Sequence, residues 1–328
     1  FPHGVYLLSV NIYVGDPGPW NGPDVCFMDR GAMLAGLPAT RSQCWGLQPA
    51  FNKLIPADVD GGTAPPNGES GIFMTWDPNW RQVDLIMLAP CYPNCSHVTA
   101  RPIDVAPFTP YFAAAGHGSN CTYLGKTRNG PGQCDIPEAS GDGTYLDSMS
   151  DRPMYRLAYR TGSQQPGHVE SLTFTHTVLG IVNRNNLVAA VRWYEIRDPG
   201  SSPFVAQAGT FAPNYHWRWM GSTAMDGFGD QAIGYSLSET QLSGNPGPMI
   251  AIAGRTQSDP ANTMENEVVV LSNYFYQNGG LTRWGDYSSM QIDPVDDCTF
   301  WYTGEYLKQT GAGYWGTHVV TFKFPSCQ

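Results

Sequence analysis

Short runs rich in apolar and β-branched residues, some alternating apolar with polar as at 4–14 and 174–178, recur along this chain between Gly, Pro, Asn and Asp. Such alternation marks β-strands with one buried face, because successive side chains of a strand point to opposite sides. The pattern predicts strands over residues 4–14, 25–30, 72–76, 83–88, 154–159, 171–178, 189–196, 204–211, 249–253, 267–271 and 318–324. Residues 16–24 and 56–71 are rich in turn formers and read as loops. Only Asp29–Leu37 has helical spacing, enough for one short turn.

One pattern occurs twice. Arg218-Trp219 leads through Met225 into an Asp226-x-x-x-Asp230 turn and out through Tyr235-Ser236. Arg283-Trp284 leads through Ile292 into Asp293-x-x-x-Asp297 and out through Tyr302-Thr303. With the turns superposed, the apolar residue before and the Tyr-Ser/Thr after fall at the same spacing, and only the Arg-Trp pair shifts, by two residues. Asp147–Asp151 is a weaker third copy. A strand, an acidic turn and a second strand, recurring in one chain, predict an all-β fold of the β-propeller kind with five to seven blades. Residues 1–328 read as one such domain, with a long loop insertion at 90–144.

Composition narrows this further. Only 14% of residues are charged while Gly numbers 37 and Pro 27, which suits short strands and many turns and excludes a disordered chain. A net charge of −10 without any Lys/Arg cluster argues against nucleic acid or an anionic membrane as partner. No apolar run approaches the ~18–20 residues of a membrane-spanning helix. The start at Phe1 enters a strand almost at once and reads as a processed N-terminus.

The eight cysteines fall in neighbouring pairs: Cys26 and Cys44, Cys91 and Cys95, Cys121 and Cys134, Cys298 and Cys327. Pairing of neighbours would staple loops with disulfides, although eight cysteines allow about 105 connectivities. Paired Cys-x-x-Cys metal motifs are missing, so the oxidised, extracellular reading is preferred. Asn94-Cys-Ser and Asn120-Cys-Thr are glycosylation sequons within the insertion.

The segments DRPMYRLAYR at 151–160, VRWYEIR at 191–197, RWGDYS at 283–288 and DPVDDCTFWYTGEY at 293–306, with the run from Val25 to Thr40, carry a family resemblance. From Asp24 onward the chain resembles a group of secreted, largely uncharacterised β-propeller-like proteins. The resemblance implies an extracellular propeller and no particular reaction. Relatives carry further strands ahead of the segment matching Phe1–Tyr13, which implies an open sheet edge able to recruit another subunit.

Several residues carry candidate chemistry. Asp226, Asp230, Asp293 and Asp297 could hold Ca²⁺ through carboxylates, but a turn copied at equivalent positions is better explained as a backbone cap. Asp286 has no counterpart in the first repeat. With Tyr287, Arg283, His216 and Glu305 it could form a catalytic group, since polysaccharide cleavage uses paired carboxyls or a base beside a cation. Tyr215, Trp217 and Trp219 offer aromatic faces for sugar rings, with Arg218 and Arg255 as hydrogen-bond donors. His176, in an alternating strand, reads as a packed core histidine.

Three functions fit these features. In order, they are an extracellular module that binds a glycan or surface polymer, a glycan-active hydrolase or lyase centred on Asp286, and a structural protein assembling through its open edge. Phosphate-binding and nucleophile-elbow motifs are missing, which excludes nucleotide enzymes and serine hydrolases.

Overall fold

The computed structural model describes residues 4–15, 18–38, 42–51, 53–66, 69–77, 79–89, 98–111, 121–123, 126–128, 136–137, 145–162, 170–183, 186–239 and 247–327. The sequons at Asn94 and Asn120, the side chains of Cys91, Cys95, Cys121 and Cys134, and most of the 90–144 insertion lie outside those residues.

Strands dominate. A three-stranded sheet forms from β1 (Val5–Tyr13), β2 (Trp20–Asp29) and β3 (Gln43–Gly46), with the single short helix α1 (Arg30–Leu34) between the last two. The helix starts where Asp29 Oδ1 accepts the Ala32 N–H at 3.1 Å, an N-cap that satisfies an otherwise free donor. A meander of β4 (Ile55–Asp60), β5 (Gly71–Trp76), β6 (Gln82–Leu88) and β7 (Val98–Asp104) follows. Two small hairpins come next, β8 (Cys121–Tyr123) with β9 (Lys126–Arg128) and β10 (Ile136–Pro137) with β11 (Tyr145–Leu146). Two further four-stranded meanders comprise β12 (Leu157–Thr161), β13 (Glu170–Asn183), β14 (Asn186–Arg197) and β15 (Phe204–Phe211), then β16 (Trp217–Met225), β17 (Gln231–Ser238), β18 (Met249–Arg255) and β19 (Glu265–Leu271). The last meander is β20 (Ser289–Ile292), β21 (Phe300–Leu307) and β22 (Trp315–Phe322).

The leading strands of these meanders gather at the centre. β4 and β12 pair in parallel, from Ala57↔Leu157 to Asp60↔Arg160, which fuses their meanders into one eight-stranded sheet. Arg160 Nε donates to the Met225 carbonyl at 2.9 Å, joining β12 to β16. The Met290 N–H donates to Ser222 Oγ at 2.9 Å, joining β16 to β20. Arg156 then spans from the Met290 carbonyl, 3.1 Å from Nη1, to the Asp60 carboxylate, 2.7 Å from each terminal nitrogen. Blade-like meanders with their first strands inward are the propeller plan expected from the repeat.

Between meanders the faces are apolar. Val191, Trp193 and Phe211 pack against Ile233, Tyr235 and Met249, and Ala232 and Ile250 against Phe300 and Tyr302. Each such side chain contributes about 1.5–3 kcal/mol when fully buried. The second repeat's Tyr302 lies directly over Gly234 of the first, where a Cβ would stand 2.3 Å from its ring. Glycine there is a packing requirement. Cys26–Cys44 ties β2 to β3, and Cys298–Cys327 ties the turn before β21 to the C-terminal tail, as neighbour pairing predicted.

The structure corrects the loop readings in three places. β2 begins at Trp20, inside the segment read as a loop, because its first residues pair with β1, and β3 joins on the other side from Asp24. β4 lies within the turn-rich stretch, held by Arg156 rather than by its own propensity. β7 lies within the insertion and tolerates Pro102 as the outermost strand of its sheet.

Candidate functional site

Because the inner strands run side by side, the segments that enter them meet at one end. Those segments are Lys53, residues 151–156 and residues 283–288. They are tied by the Asp147 N–H to the Thr282 carbonyl at 2.8 Å, and by Arg152 Nη1 to the Tyr287 hydroxyl at 3.5 Å.

Charge is paired here. Asp151 takes Arg152 on both oxygens, Nε at 2.9 Å and Nη2 at 3.2 Å, and also receives the Lys53 ammonium. Burial would raise the Asp151 pKa, but the two cations outweigh it and hold the carboxyl below its usual range. Burial also lowers Lys53, with Asp151 opposing. Arg283 and Asp286 form a second ion pair within the loop. Tyr155 and Tyr287 present their rings to solvent, 37% and 46% exposed. Beneath lies an apolar floor of Met149, Met154, Trp219, Met220 and Trp284. Trp284 Nε1 donates to Ser236 Oγ at 3.0 Å and Ser288 Oγ to the Met220 carbonyl at 2.6 Å, so the 283–288 loop is pinned on both flanks.

Glu305 reaches this loop from β21. Its Oε2 accepts the Gly285 N–H at 2.9 Å, while Oε1 is buried without a partner. Burial pushes its pKa up to about 7, the Gly285 N–H opposing only in part. Arg283, Asp286 and Tyr287 thus share one loop that Glu305 reaches through Gly285, while His216, grouped with them from the sequence, contacts Asn214 and Arg218 instead. Lys53, Asp151, Arg152 and Tyr155 were missed, since nothing local to 53 or 151–155 reports a contact with residue 287.

The remaining candidates are not part of the exposed charged group, although Trp219 belongs to its floor and Trp217 packs against that floor. Arg218 is fully buried and committed to Glu267, at 2.6 and 2.8 Å, with Asn214 Oδ1 at 2.7 Å. Tyr235 donates to the same Glu267 at 2.7 Å. Trp219 is wholly buried in the floor, and Trp217 is half-buried, donating to the Tyr111 hydroxyl at 2.9 Å. Of that aromatic group only Tyr215 is broadly exposed, at 44%. His216 gives its carbonyl to Arg218, and burial lowers its pKa. His176 is packed among Trp76, Phe108 and Tyr194, and burial and then Arg192 push its pKa well down, so it stays neutral.

The two strong acidic turns occupy the opposite end of the inner strands, whereas residues 147–151, read as a weaker third copy, lie at the mouth between β11 and β12. Asp226 Oδ1 accepts the N–H groups of Phe228 and Asp230, at 2.9 and 3.0 Å. Asp293 Oδ1 accepts from Val295 N–H at 2.9 Å, and Asp297 is bound by Arg160. The Gly227 N–H donates to the Asp297 carbonyl at 2.9 Å, so the two repeats clasp each other there. Asp230 receives the Gln257 N–H at 2.7 Å and the Ser326 hydroxyl. Arg255 lies at this same end, across from Gln231, with Nη2 on the Asp259 carbonyl at 3.0 Å. It is thus apart from the Asp286 loop. Among the described residues no group of three or more His, Cys, Asp or Glu is arranged to hold a metal.

No protein-family model matches the chain. No curated protein matches it either. Among solved structures, the α-L-arabinofuranosidase Arb93A from Fusarium graminearum, in complex with an iminosugar inhibitor, is 10% identical over 83% of this chain and 67% of its own, with a TM-score of 0.34. A thermostable family-43 glycoside hydrolase is 11% identical over 94% of this chain and 84% of its own, with a TM-score of 0.30.

Proposed function

We propose that this protein is an extracellular module that binds a glycan at the mouth formed by Lys53, residues 151–156 and residues 283–288. The observation carrying this reading is the contact of Arg152 with Tyr287, which unites two ion pairs and two exposed tyrosine rings over an apolar floor. Sugars present hydroxyls, which match pre-oriented charged donors and acceptors, and apolar ring faces, which stack on tyrosine. The two disulfides support an oxidising compartment.

Binding is favoured over cleavage by the position of Glu305. A hydrolase needs both carboxyls at the substrate, about 5–10 Å apart. With the loop closed as in this structure, the free oxygen of Glu305 is shut off from solvent, so in that state it does not offer a proton to a bound sugar. The test is incubation with immobilised neutral and uronic polysaccharides (xylan, arabinan, β-glucan, pectin, alginate), followed by mass spectrometry of the soluble phase. Retention without new oligosaccharides is expected. Release of oligosaccharides would replace the module with an enzyme, and neither retention nor release would refute both.

A further inference from the structure

We infer that Glu305 is a positioning residue, a proton-linked latch that holds the Asp286–Tyr287 loop down on the floor of the site. The inference rests on reading that loop as the ligand-binding one. Gly285 is where the latch engages. It sits at φ +54°, a left-handed conformation that glycine adopts without the usual steric cost, and its N–H donates to Glu305 Oε2 at 2.9 Å. Buried Trp284 anchors one side of it, and Ser288, through Met220, anchors the other. Between these points Asp286 and Tyr287 are held outward.

The other carboxylate oxygen makes the latch conditional. Oε1 is buried and has no partner, so an ionised Glu305 carries an unsolvated charge whenever the loop is closed. Among the described residues no counter-charge faces it. Across β22 the facing residue is Thr317, while His318 points to the other side of the sheet against Tyr306. Beneath the loop lie Met220 and Ser236, and on the loop Arg283 is occupied by Asp286. Opening the loop would admit water to Oε1 and relieve the charge.

Burial raises the closed-state pKa from 4.5 to about 7, so the closed loop holds a proton that the open loop gives up. Closure is fully favoured below about pH 4.5 and weakens as pH rises towards 7. A difference of that size corresponds to as much as ~300-fold in the closed-to-open ratio across the window.

Amide hydrogen exchange of the ligand-free protein at pH 5 and pH 8, each referred to the unstructured rate at that pH, tests this directly. Protection over 283–288 should fall ten- to a hundredfold, about what the linkage allows after discounting. Glu305→Gln should abolish that fall, and its protection over β17 should match wild type if it folds. Glu305→Asp, which shortens the reach to Gly285, serves if the Gln variant does not fold, and should lower protection at pH 5. A wild-type loop equally protected at both pH values, or a Gln variant with an unchanged fall, overturns the latch. Because no glycan is present, that failure leaves the glycan-binding reading standing, and a failed glycan panel leaves the latch untouched.

Discussion

Arg152 and Tyr287 are 135 residues apart in the chain and meet at 3.5 Å, guanidinium to phenol oxygen. The contact is prepared on one side by Asp151, which fixes the guanidinium through two hydrogen bonds, and on the other by the pinned loop that carries Tyr287. A ligand arriving there meets groups already ordered. It loses less conformational entropy on their side than it would against free arginine and tyrosine.

Arg152→Ala and Tyr287→Ala should each weaken glycan retention by about tenfold, the loss of roughly 1–1.5 kcal/mol from one charged hydrogen-bond donor or one stacking ring. Tyr287→Phe should keep most of the affinity if stacking dominates. Affinity chromatography against the retained polysaccharide checks all three variants, with circular dichroism as the control for folding.

Arg156 behaves differently because its partners are buried. It is 2% exposed and bound to Asp60, itself 7% exposed, with burial raising the Asp60 pKa against the pull of Arg156. Arg156→Ala removes both hydrogen bonds to that carboxylate and leaves it only the weaker pull of Arg160 at the junction of β4, β12 and β20. Urea unfolding should show a loss of about 3–5 kcal/mol.

Stability should fall as pH rises from about 4 towards 7. Asp226, with Oδ2 buried and unpaired beside Asp230, has its pKa raised by burial from 3.8 to about 7, so in this window the folded chain keeps a proton that the unfolded chain has released. Linkage then gives a loss that levels off above pH 7 and amounts to a few kcal/mol at most, since each tenfold difference in acidity between the two states corresponds to about 1.4 kcal/mol. Asp226→Asn keeps Oδ1 as the turn cap and removes the charge. Thermal melts from pH 4 to 8 should show a flatter profile for this variant than for wild type.

The Cys298–Cys327 disulfide closes a separation of 29 residues and holds the tail where Ser326 meets Asp230. Cys327→Ser should cost on the order of 3–4 kcal/mol in a chain-entropy account. Chemical denaturation of the variant beside wild type measures this.

Much of the fold was legible from short apolar runs between turn residues, although only outer strands such as β1 and β22 alternate in burial, while β5, β12, β16, β17 and β18 are buried almost throughout. The strand read at 204–211 is β15 to the residue, and the acidic turns do join β16 to β17 and β20 to β21. What was hidden depends on tertiary partners. Ile55–Asp60 contains a proline and two acids, and becomes a strand because it pairs with β12 while Arg156 binds Asp58 and Asp60. The site was half visible. Asp286 stood out as an acid without a counterpart in the first repeat, yet Arg152, which meets Tyr287, and Lys53, which meets Asp151, come from distant segments that only the inner strands bring near. Tyr215, Trp217 and Trp219 offered aromatic faces by composition, with Arg218 as a donor, and the burial of Trp219 and Arg218 explains why the group is not exposed as one platform.

The most direct test is a footprint of the bound glycan. Amide hydrogen exchange should be compared with and without the polysaccharide that the protein retains, at one pH. Slowed exchange over 151–156 and 283–288, absent in an Arg152→Ala/Tyr287→Ala double variant, is the expected result. Protection confined to other segments, such as 214–217, or persisting in the double variant, would contradict the proposed site.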